Sequence, residues 1–310
     1  MAEKELYKKY RPKDFEGVVG QTDALKSLQQ MAKNKKIPHT LLFTGPSGCG
    51  KTTLARIVRK ELGCGKHDFS EVNCADFRGI DMVRDIRSRM MQAPISGSCR
   101  VWLIDEAHRL TGDAMDAFLK ILEDTPDHVY FMLATTNPQK LLKTVRTRCT
   151  EISVKSLSNK DIVKLVTDVA KKEGKTLPKE VAEKIADKCE GSARQALVLL
   201  HQIIDLENED DMLDSIESNI AESQAINIAR TLMNERTKWS EMAKVLKECD
   251  LEDPESIRWM VLGYAKSILL SGGKLSTRAY LVIDAFKDNF FDSKAAGLTW
   301  ACYSVIMGSK

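Results

Sequence analysis

The chain has 310 residues, 43% hydrophobic and 29% charged, an ordinary globular composition with room for two or three domains. Its 47 Lys and Arg against 44 Asp and Glu leave a net charge of +3, which excludes coating of a polyanion by bulk charge and requires a local patch for any such partner. No apolar run reaches the roughly 18 to 20 residues of a membrane helix, and the start MAEKELYKKYRPKDF is too charged for a signal peptide, so a cytoplasmic protein with no membrane partner is expected. Near the start, HTLLFT (39–44) is a short apolar strand ending at a Gly-rich turn. TTLARIVRKEL follows with Leu54, Ala55, Ile57, Val58 and Leu62 at helical spacing. Apolar runs recur at 101–105, 129–135 and 151–154, the first two of them continuously apolar, as strands covered on both faces should be. From Thr111 as N-cap, Ala114, Phe118, Ile121 and Leu122 share one helix face, and Thr125-Pro126 stops that helix. Strands alternating with helices predict an α/β domain over 1–154, a parallel sheet wrapped by helices.

Beyond Val154 the β-branched runs give way to helical patterns: DIVKLVTDVAKKEG, PKEVAEKIADKCEG and SARQALVLLHQII. These predict an all-α three-helix domain over 155–208. Asp205 to Glu217 holds seven acids, among them Asp214 and Glu217, and no basic residue; it reads as a solvated linker or helix edge. A second all-α domain is expected over 214–310, with helices around 225–233, 239–246, 256–270, 278–288 and 294–307. Its aromatic residues Trp239, Trp259, Trp300, Phe286, Phe290 and Phe291 suit either its own core or an assembly surface.

The eight cysteines are scattered without a C-x-x-C pair, so free thiols are expected. Cys64, His67 and Cys74 would supply part of a zinc site; the alternative is unmetallated loop residues.

The turn after the first strand, Gly45-Pro46-Ser47-Gly48-Cys49-Gly50-Lys51-Thr52, satisfies G-x-x-x-x-G-K-[ST] in full. Such a loop wraps phosphates with its backbone N–H groups at a helix start, which places Gly48, Cys49, Gly50 and Thr53 around the nucleotide. Lys51 would reach the β- and γ-phosphates, and the Thr52 hydroxyl would ligate Mg2+. The run Val101 to Ile104 ends in Asp105 and Glu106. Asp105 is placed to hold Mg2+ and Glu106 to orient and deprotonate water; without the phosphate loop upstream, two acids there would read as a helix cap. Asp105 to His108 spells DEAH, but other helicase signatures are missing and the spelling carries no weight.

KYRPKDFEGVVGQ, GPSGCGKTT, LIDEAHRLT, FLKILEDTP, LATTNPQKL, TRC and GSARQAL occur in the order and spacing of AAA+ sliding-clamp loader subunits, which the chain resembles over residues 5–205. Those are the DnaX-type subunits of bacteria, the replication factor C small subunits and their phage counterparts. The resemblance implies an ATP-hydrolysing subunit that, in a five-subunit spiral with other loader subunits, opens a ring-shaped sliding clamp and places it on primer-template DNA. It implies that the three segments are a P-loop ATPase domain, a helical lid and a collar that assembles the oligomer. It places Lys9, Tyr10, Arg11 and Val19 at the adenine and ribose side of ATP, and Asn137 as the sensor of water or γ-phosphate. It makes Arg148, in Thr147-Arg148-Cys149, an arginine finger, and Arg194 a second sensor in the lid. Asn73 falls where the family can hold the catalytic glutamate unproductive until DNA binds.

Arg78, Arg84 and Arg87 fall before the strand at 101–105, and the resemblance puts their helix on the inner, DNA-facing wall of the spiral. If Ile80, Val83 and Ile86 face the core, Arg84 and Arg87 share another face. Asp81 and Asp85 equally fit as their surface partners. For several of these residues a plain alternative stands: Asn137 before Pro138 suits a turn, and Arg148 suits a solvated surface. Two departures separate the chain from DnaX. Only Cys64 and Cys74 stand where those subunits carry a four-cysteine zinc insertion, and the long polymerase- and helicase-binding tails are not expected, which is nearer the replication factor C or phage plan. Rival functions are another AAA+ motor, of the Holliday-junction or replisome-maintenance type, and a non-hydrolysing structural loader subunit; the intact phosphate loop stands against the second.

Overall fold

The structure, a computed structural model, describes residues 5–249, 253–273 and 275–308, without the side chains of 214 and 217–223. The outer ends of the first and last expected domains, and the Asp214 and Glu217 side chains of the acidic stretch, therefore lie outside the described residues.

Five strands form one sheet: β1 (Thr40–Thr44), β2 (Phe69–Asn73), β3 (Arg100–Asp105), β4 (Val129–Thr135) and β5 (Thr150–Ser153). They are ordered β2-β3-β4-β1-β5, every neighbouring pair parallel. Because side chains alternate along a strand, each buried strand feeds two cores. Leu41, Phe43, Val101, Leu103 and Met132 pack on one face with Leu28 of α2 (Thr22–Lys33) and Leu54, Ile57 and Val58 of α3 (Lys51–Glu61). Leu42, Trp102, Ile104, Phe131 and Leu133 pack on the other. There they meet Val83 and Ile86 of α4 (Ile80–Met90) and Phe118 and Ile121 of α5 (Gly112–Glu123). Thr111 caps α5 by accepting from the Ala114 N–H, as its position before the apolar stripe predicts. The two-core arrangement also separates Cys64, in the first core, from Cys74, in the second. Those two thiols do not share a site, and no cluster of three His, Cys, Asp or Glu side chains suited to a metal occurs among the described residues.

Two short helices, α1 (Leu6–Lys9) and α6 (Lys143–Arg146), flank this sheet unit, and three longer ones follow it: α7 (Asn159–Lys172), α8 (Lys179–Lys188) and α9 (Ala193–Ile203). Ser158 and Asp161 close a capping box at the start of α7. Ile162, Val166, Val181, Ile185, Ala196 and Leu200 are buried among the three helices, and α1 packs on α9. The chain divides into two compact units at Leu206, so the 155–204 helices share a unit with the sheet.

The second unit contains α10 (Glu209–Met233), α11 (Trp239–Glu248), α12 (Pro254–Leu270), α13 (Ser276–Phe286) and α14 (Lys294–Met307). The acidic stretch becomes a helix start: Asn208 caps α10, and Glu209, Asp210 and Asp211 occupy its first turn, where carboxylates complement the helix dipole. Ile228, Leu232, Val261, Val282, Phe286, Phe290 and Leu298 fill the core. The aromatic set thus divides. Phe286 and Phe290 are buried and Trp239 packs on that core, whereas Trp259, Trp300 and Phe291 are 63%, 69% and 68% exposed.

A buried ion pair locks this unit. Glu255 accepts from Arg258 Nε at 2.8 Å and from the Phe290 N–H at 2.9 Å, while Arg258 also donates to the carbonyls of Phe286 and Lys287. Arg258 holds the Glu255 carboxyl below its ordinary value of 4.5. The pair therefore stabilises the unit fully above the ordinary carboxylate range, and the stabilisation is lost as pH falls through the depressed folded-state value. Glu255→Gln is expected to lower Tm at neutral pH, because it leaves Arg258 buried without its counter-charge. The Tm gap to wild type should narrow below about pH 4; a gap that stays constant with pH would refute this account.

Candidate active site

Parallel strands bring their C-terminal ends to one edge of the sheet, where open α/β sheets form crevices. The β1 end leads into the phosphate loop, the β3 end carries Asp105 and Glu106, and β4, lying between them, ends at Thr135 just before Asn137. At that edge lies a cleft of about 430 Å3. Its walls are Ser47 to Leu54, the segment around Tyr10 to Gly20, Asp105 and Glu106, and residues of α7 and α9.

The loop can take its course only with glycines. Gly45 has φ 141° and a Cβ there would overlap the carbonyl of Val154; at Gly48, φ 75°, it would overlap the Ser192 hydroxyl. α3 then begins at Lys51, with the Lys51, Thr52 and Thr53 N–H groups in its first turn. Lys51 is 6% exposed and its Nζ donates to the Gly45 and Pro46 carbonyls at 2.8 and 2.7 Å. Burial pulls its pKa down, opposed by the charges of Glu106 and Asp105. The Thr52 hydroxyl donates to Asp105 Oδ2 at 3.0 Å, and the Glu106 N–H donates to Asp105 Oδ1 at 3.0 Å. Glu106 stands in left-handed backbone at φ 51°, an uncommon state for a residue with a Cβ.

These residues fit the groups that such a loop implies. A hydroxyl and a carboxylate oxygen in contact are the hard donors that Mg2+ takes. For the phosphates, the cleft gathers cations: Arg11, whose pKa is lowered by burial and by the nearby charges of Arg56 and Arg194, together with Lys51 and Arg194. Like charges so placed favour an anion between them. Arg194 belongs to α9, which Ser192 caps; its N–H donates to the Gly48 carbonyl at 3.3 Å and its guanidinium lies 5.9 Å from the Tyr7 ring centroid.

The expected site residues do not all converge. Tyr10, Arg11, Val19, Gly48, Cys49, Gly50, Lys51, Thr52, Thr53, Asp105, Glu106 and Arg194 line the cleft. Lys9 does not; it points outward and its Nζ pairs with Glu173 at 2.6 Å. Asn137 follows β4 outside the cleft wall, its N–H donating to Thr135 Oγ1 at 3.0 Å. Asn73 is the register partner of Asp105, yet its side chain donates to Asp76 at 2.9 Å and accepts from the Ala75 N–H, so it does not hold Glu106. Arg148 lies away from this cleft, donating to Glu123 at 2.5 Å and to the Thr144 carbonyl at 3.0 Å.

In α4, Val83 and Ile86 are buried, and Arg84 and Arg87 are exposed, as is Arg78 just before the helix. Arg84 pairs with Asp81 at 3.2 Å, while Asp85 pairs with Arg89. Among the described residues, no ion pair holds Arg78 or Arg87.

The cleft also includes residues that the motifs do not mark: Tyr7, and Asp161, Lys164, Asp168 and Lys172 of α7. Their three- and four-residue spacing places them on one helix stripe, a signal available only once α7 is known to face the loop.

The family profile described as "DNA polymerase III, delta subunit" matches residues 20–82 and 75–158. The chain is 35% identical over 226 residues to the DNA polymerase III subunit tau of Bacillus subtilis, covering 66% of this chain and 40% of that protein. It is 33% identical over 236 residues to the DNA polymerase III subunit gamma of Buchnera aphidicola, covering 67% and 65%. It thus spans less than two thirds of the length of these curated relatives. Among solved structures, the Holliday junction branch migration motor RuvB of Thermotoga maritima superposes with a TM-score of 0.59 at 23% identity, over 73% of this chain and 80% of that one, a likeness of AAA+ fold. The motifs agree with these relatives and the parallel sheet with that fold, so the chain is similar, over about two thirds of its length, to the DnaX-type AAA+ clamp-loader subunits.

Proposed function

We propose that this chain binds ATP with Mg2+ and hydrolyses it as a subunit of a DNA sliding-clamp loader, using the cycle to open the clamp and place it on primer-template DNA. The observation that carries the reading is the meeting, in one cleft, of Lys51, the Thr52–Asp105 contact, Glu106 and Arg194. Thr52 and Asp105 would hold the metal, which when bound neutralises charge on the β- and γ-phosphoryl oxygens. Lys51 would exchange its two loop carbonyls for phosphate oxygens. Glu106 takes the proton of the attacking water. Arg194 ties the lid helices to phosphate and so lets nucleotide close the cleft. The exposed Trp259, Trp300 and Phe291 of the second unit serve assembly into a pentamer, in which a collar buries apolar faces against its neighbours.

The test is ATP turnover measured alone, with clamp, with primed DNA and with both, alongside the subunit count of the assembly. Stimulation that needs clamp and primed DNA together, in a five-subunit complex, supports the loader. Turnover indifferent to both but raised by a four-way junction, in a hexamer, would assign the chain to a branch-migration motor instead.

DNA contact is proposed for Arg78, Arg84 and Arg87. A loader acts at any primed junction, so it needs phosphate contacts rather than base readout. The Arg84–Asp81 pair is exposed on both sides and worth little, so it does not withhold Arg84 from phosphate. Replacing all three by Ala is expected to weaken DNA binding regardless of sequence and to flatten the salt dependence by about 0.9 per lost duplex phosphate contact in each copy. Basal turnover without DNA should remain near wild type. An unchanged salt slope would remove this helix from the DNA site.

A further inference from the structure

The DEAH spelling, which carries no weight as a helicase signature, acquires a role in three dimensions. Glu106 is followed by a short 3-10 turn, Ala107–Arg109, closed by the Arg109 N–H donating to the Glu106 carbonyl at 2.8 Å. That turn swings His108 back over the end of β4. Its Nδ1 lies 3.3 Å from Glu106 Oε2 and 2.9 Å from Thr135 Oγ1. Thr135 is fully buried and accepts from the Asn137 N–H at 3.0 Å, and the neighbouring Thr136 hydroxyl donates to the same Glu106 Oε2 at 3.4 Å. A continuous polar chain thus runs from the Asn137 backbone through Thr135 and His108 to the Glu106 carboxylate.

The geometry points to His108 as a positioning residue for Glu106: its ring, fixed by the Nδ1 hydrogen bond with Thr135 Oγ1, stands with that nitrogen 3.3 Å from Oε2, so that the carboxylate of a residue in strained left-handed backbone is held with Oε1 as the oxygen that takes the water's proton. The inference rests on Glu106 being the base, the reading proposed above. The carboxylate itself selects the tautomer. An acceptor-only oxygen 3.3 Å from a bare Nδ1 lone pair would be repelled, whereas an Nδ1–H that donates to Thr135 Oγ1 turns a positive edge toward it. Burial lowers the His108 pKa, with Lys140, Arg109 and Lys51 adding to that push and Glu106 opposing it, which favours a neutral ring with a single N–H to place. His108 does not line the cleft, so it acts through Glu106 rather than on nucleotide. It also joins the two strand ends that carry the base and Asn137, so a shift at the end of β4 would be felt at the carboxylate.

The test uses the full chain in the assembly in which it is purified, with kcat and the affinity for a fluorescent ATP analogue measured separately. His108→Ala is expected to lower kcat by about 10- to 100-fold, the scale of a misplaced catalytic group, with nucleotide affinity unchanged. His108→Asn, whose amide N–H reaches the place of Nδ1, should recover most of the loss; His108→Gln, whose amide falls nearer the place of Nε2, should not. In a Glu106→Gln background, His108→Ala should cause no further loss. Wild-type kcat in His108→Ala, a parallel fall in nucleotide affinity, or an Asn variant no better than Ala or Gln would each overturn the assignment. If the Ala variant does not fold, the Asn and Gln pair still decides it. Glu106→Gln alone separates the two levels: if it retains full turnover, the reading of Glu106 itself is wrong, whereas a dead Glu106→Gln beside a fully active His108→Ala refutes only the role of His108.

Discussion

Arg148→Ala is expected to lower ATP turnover of the assembled protein by about 10³- to 10⁵-fold, the range for an arginine finger supplied in trans, while the isolated chain still binds ATP. On its own chain Arg148 cannot serve: it sits in the turn between α6 and β5, away from the cleft, with its guanidinium on Glu123 and the Thr144 carbonyl. Those two acceptors hold the side chain extended at the surface, where it is 39% exposed, so a neighbouring subunit's phosphate has only an exposed pair to displace. Mixing distinguishes a trans role from a structural one. Where an Arg148→Ala subunit provides the cleft and a Glu106→Gln subunit provides the arginine, both halves are intact, so turnover of the mixture should exceed the sum of the separate variants. If no mixing ratio does so, Arg148 does not act across an interface.

Glu106→Gln should slow turnover by about 10²- to 10⁴-fold with ATP affinity unchanged, whereas Lys51→Ala should weaken ATP binding itself. The two side chains have different geometric relations to the nucleotide. Gln keeps the volume of Glu106 and can still accept from Thr136, so the cleft wall persists and only basicity is lost. Lys51 is the buried cation at the base of the phosphate loop, and its two acceptors, the Gly45 and Pro46 carbonyls, would be left facing the phosphates. A carbonyl lining without its cation repels an anion. Equal loss of nucleotide affinity in both variants would defeat this division of roles.

Much of this architecture was legible because its signals are local. A phosphate loop must be written in consecutive residues, since a tight turn needs glycines at set places and a helix must start at its end. Hence Lys51, Thr52, Asp105 and Glu106 could be named from spacing, and the structure brings them together. β1, β3, β4 and β5 announce themselves as apolar runs; β2, an edge strand with alternating exposure, has none. The α7 stripe facing the cleft is amphipathic in sequence, but which of its faces meets a ligand depends on where the helix packs.

Local pattern determined the secondary elements, the phosphate loop and the acid pair, because backbone conformation and hydrogen bonding within a few residues decide those features. Only the tertiary structure decided which side chains a strand end delivers to the site. Asn73 and Asp105 are register partners, yet a three-residue turn draws the Asn73 side chain to Asp76. Cys64 and Cys74, ten positions apart, fall on opposite faces of the sheet. Lys9 turns outward to Glu173, and His108, set aside as a spelling, lies against the base two residues before it. The physical reason is the same in each case: a side chain's partner is chosen by the pairing of strands and the packing of helices distant in sequence, and those long-range contacts leave no mark in a window of neighbouring residues.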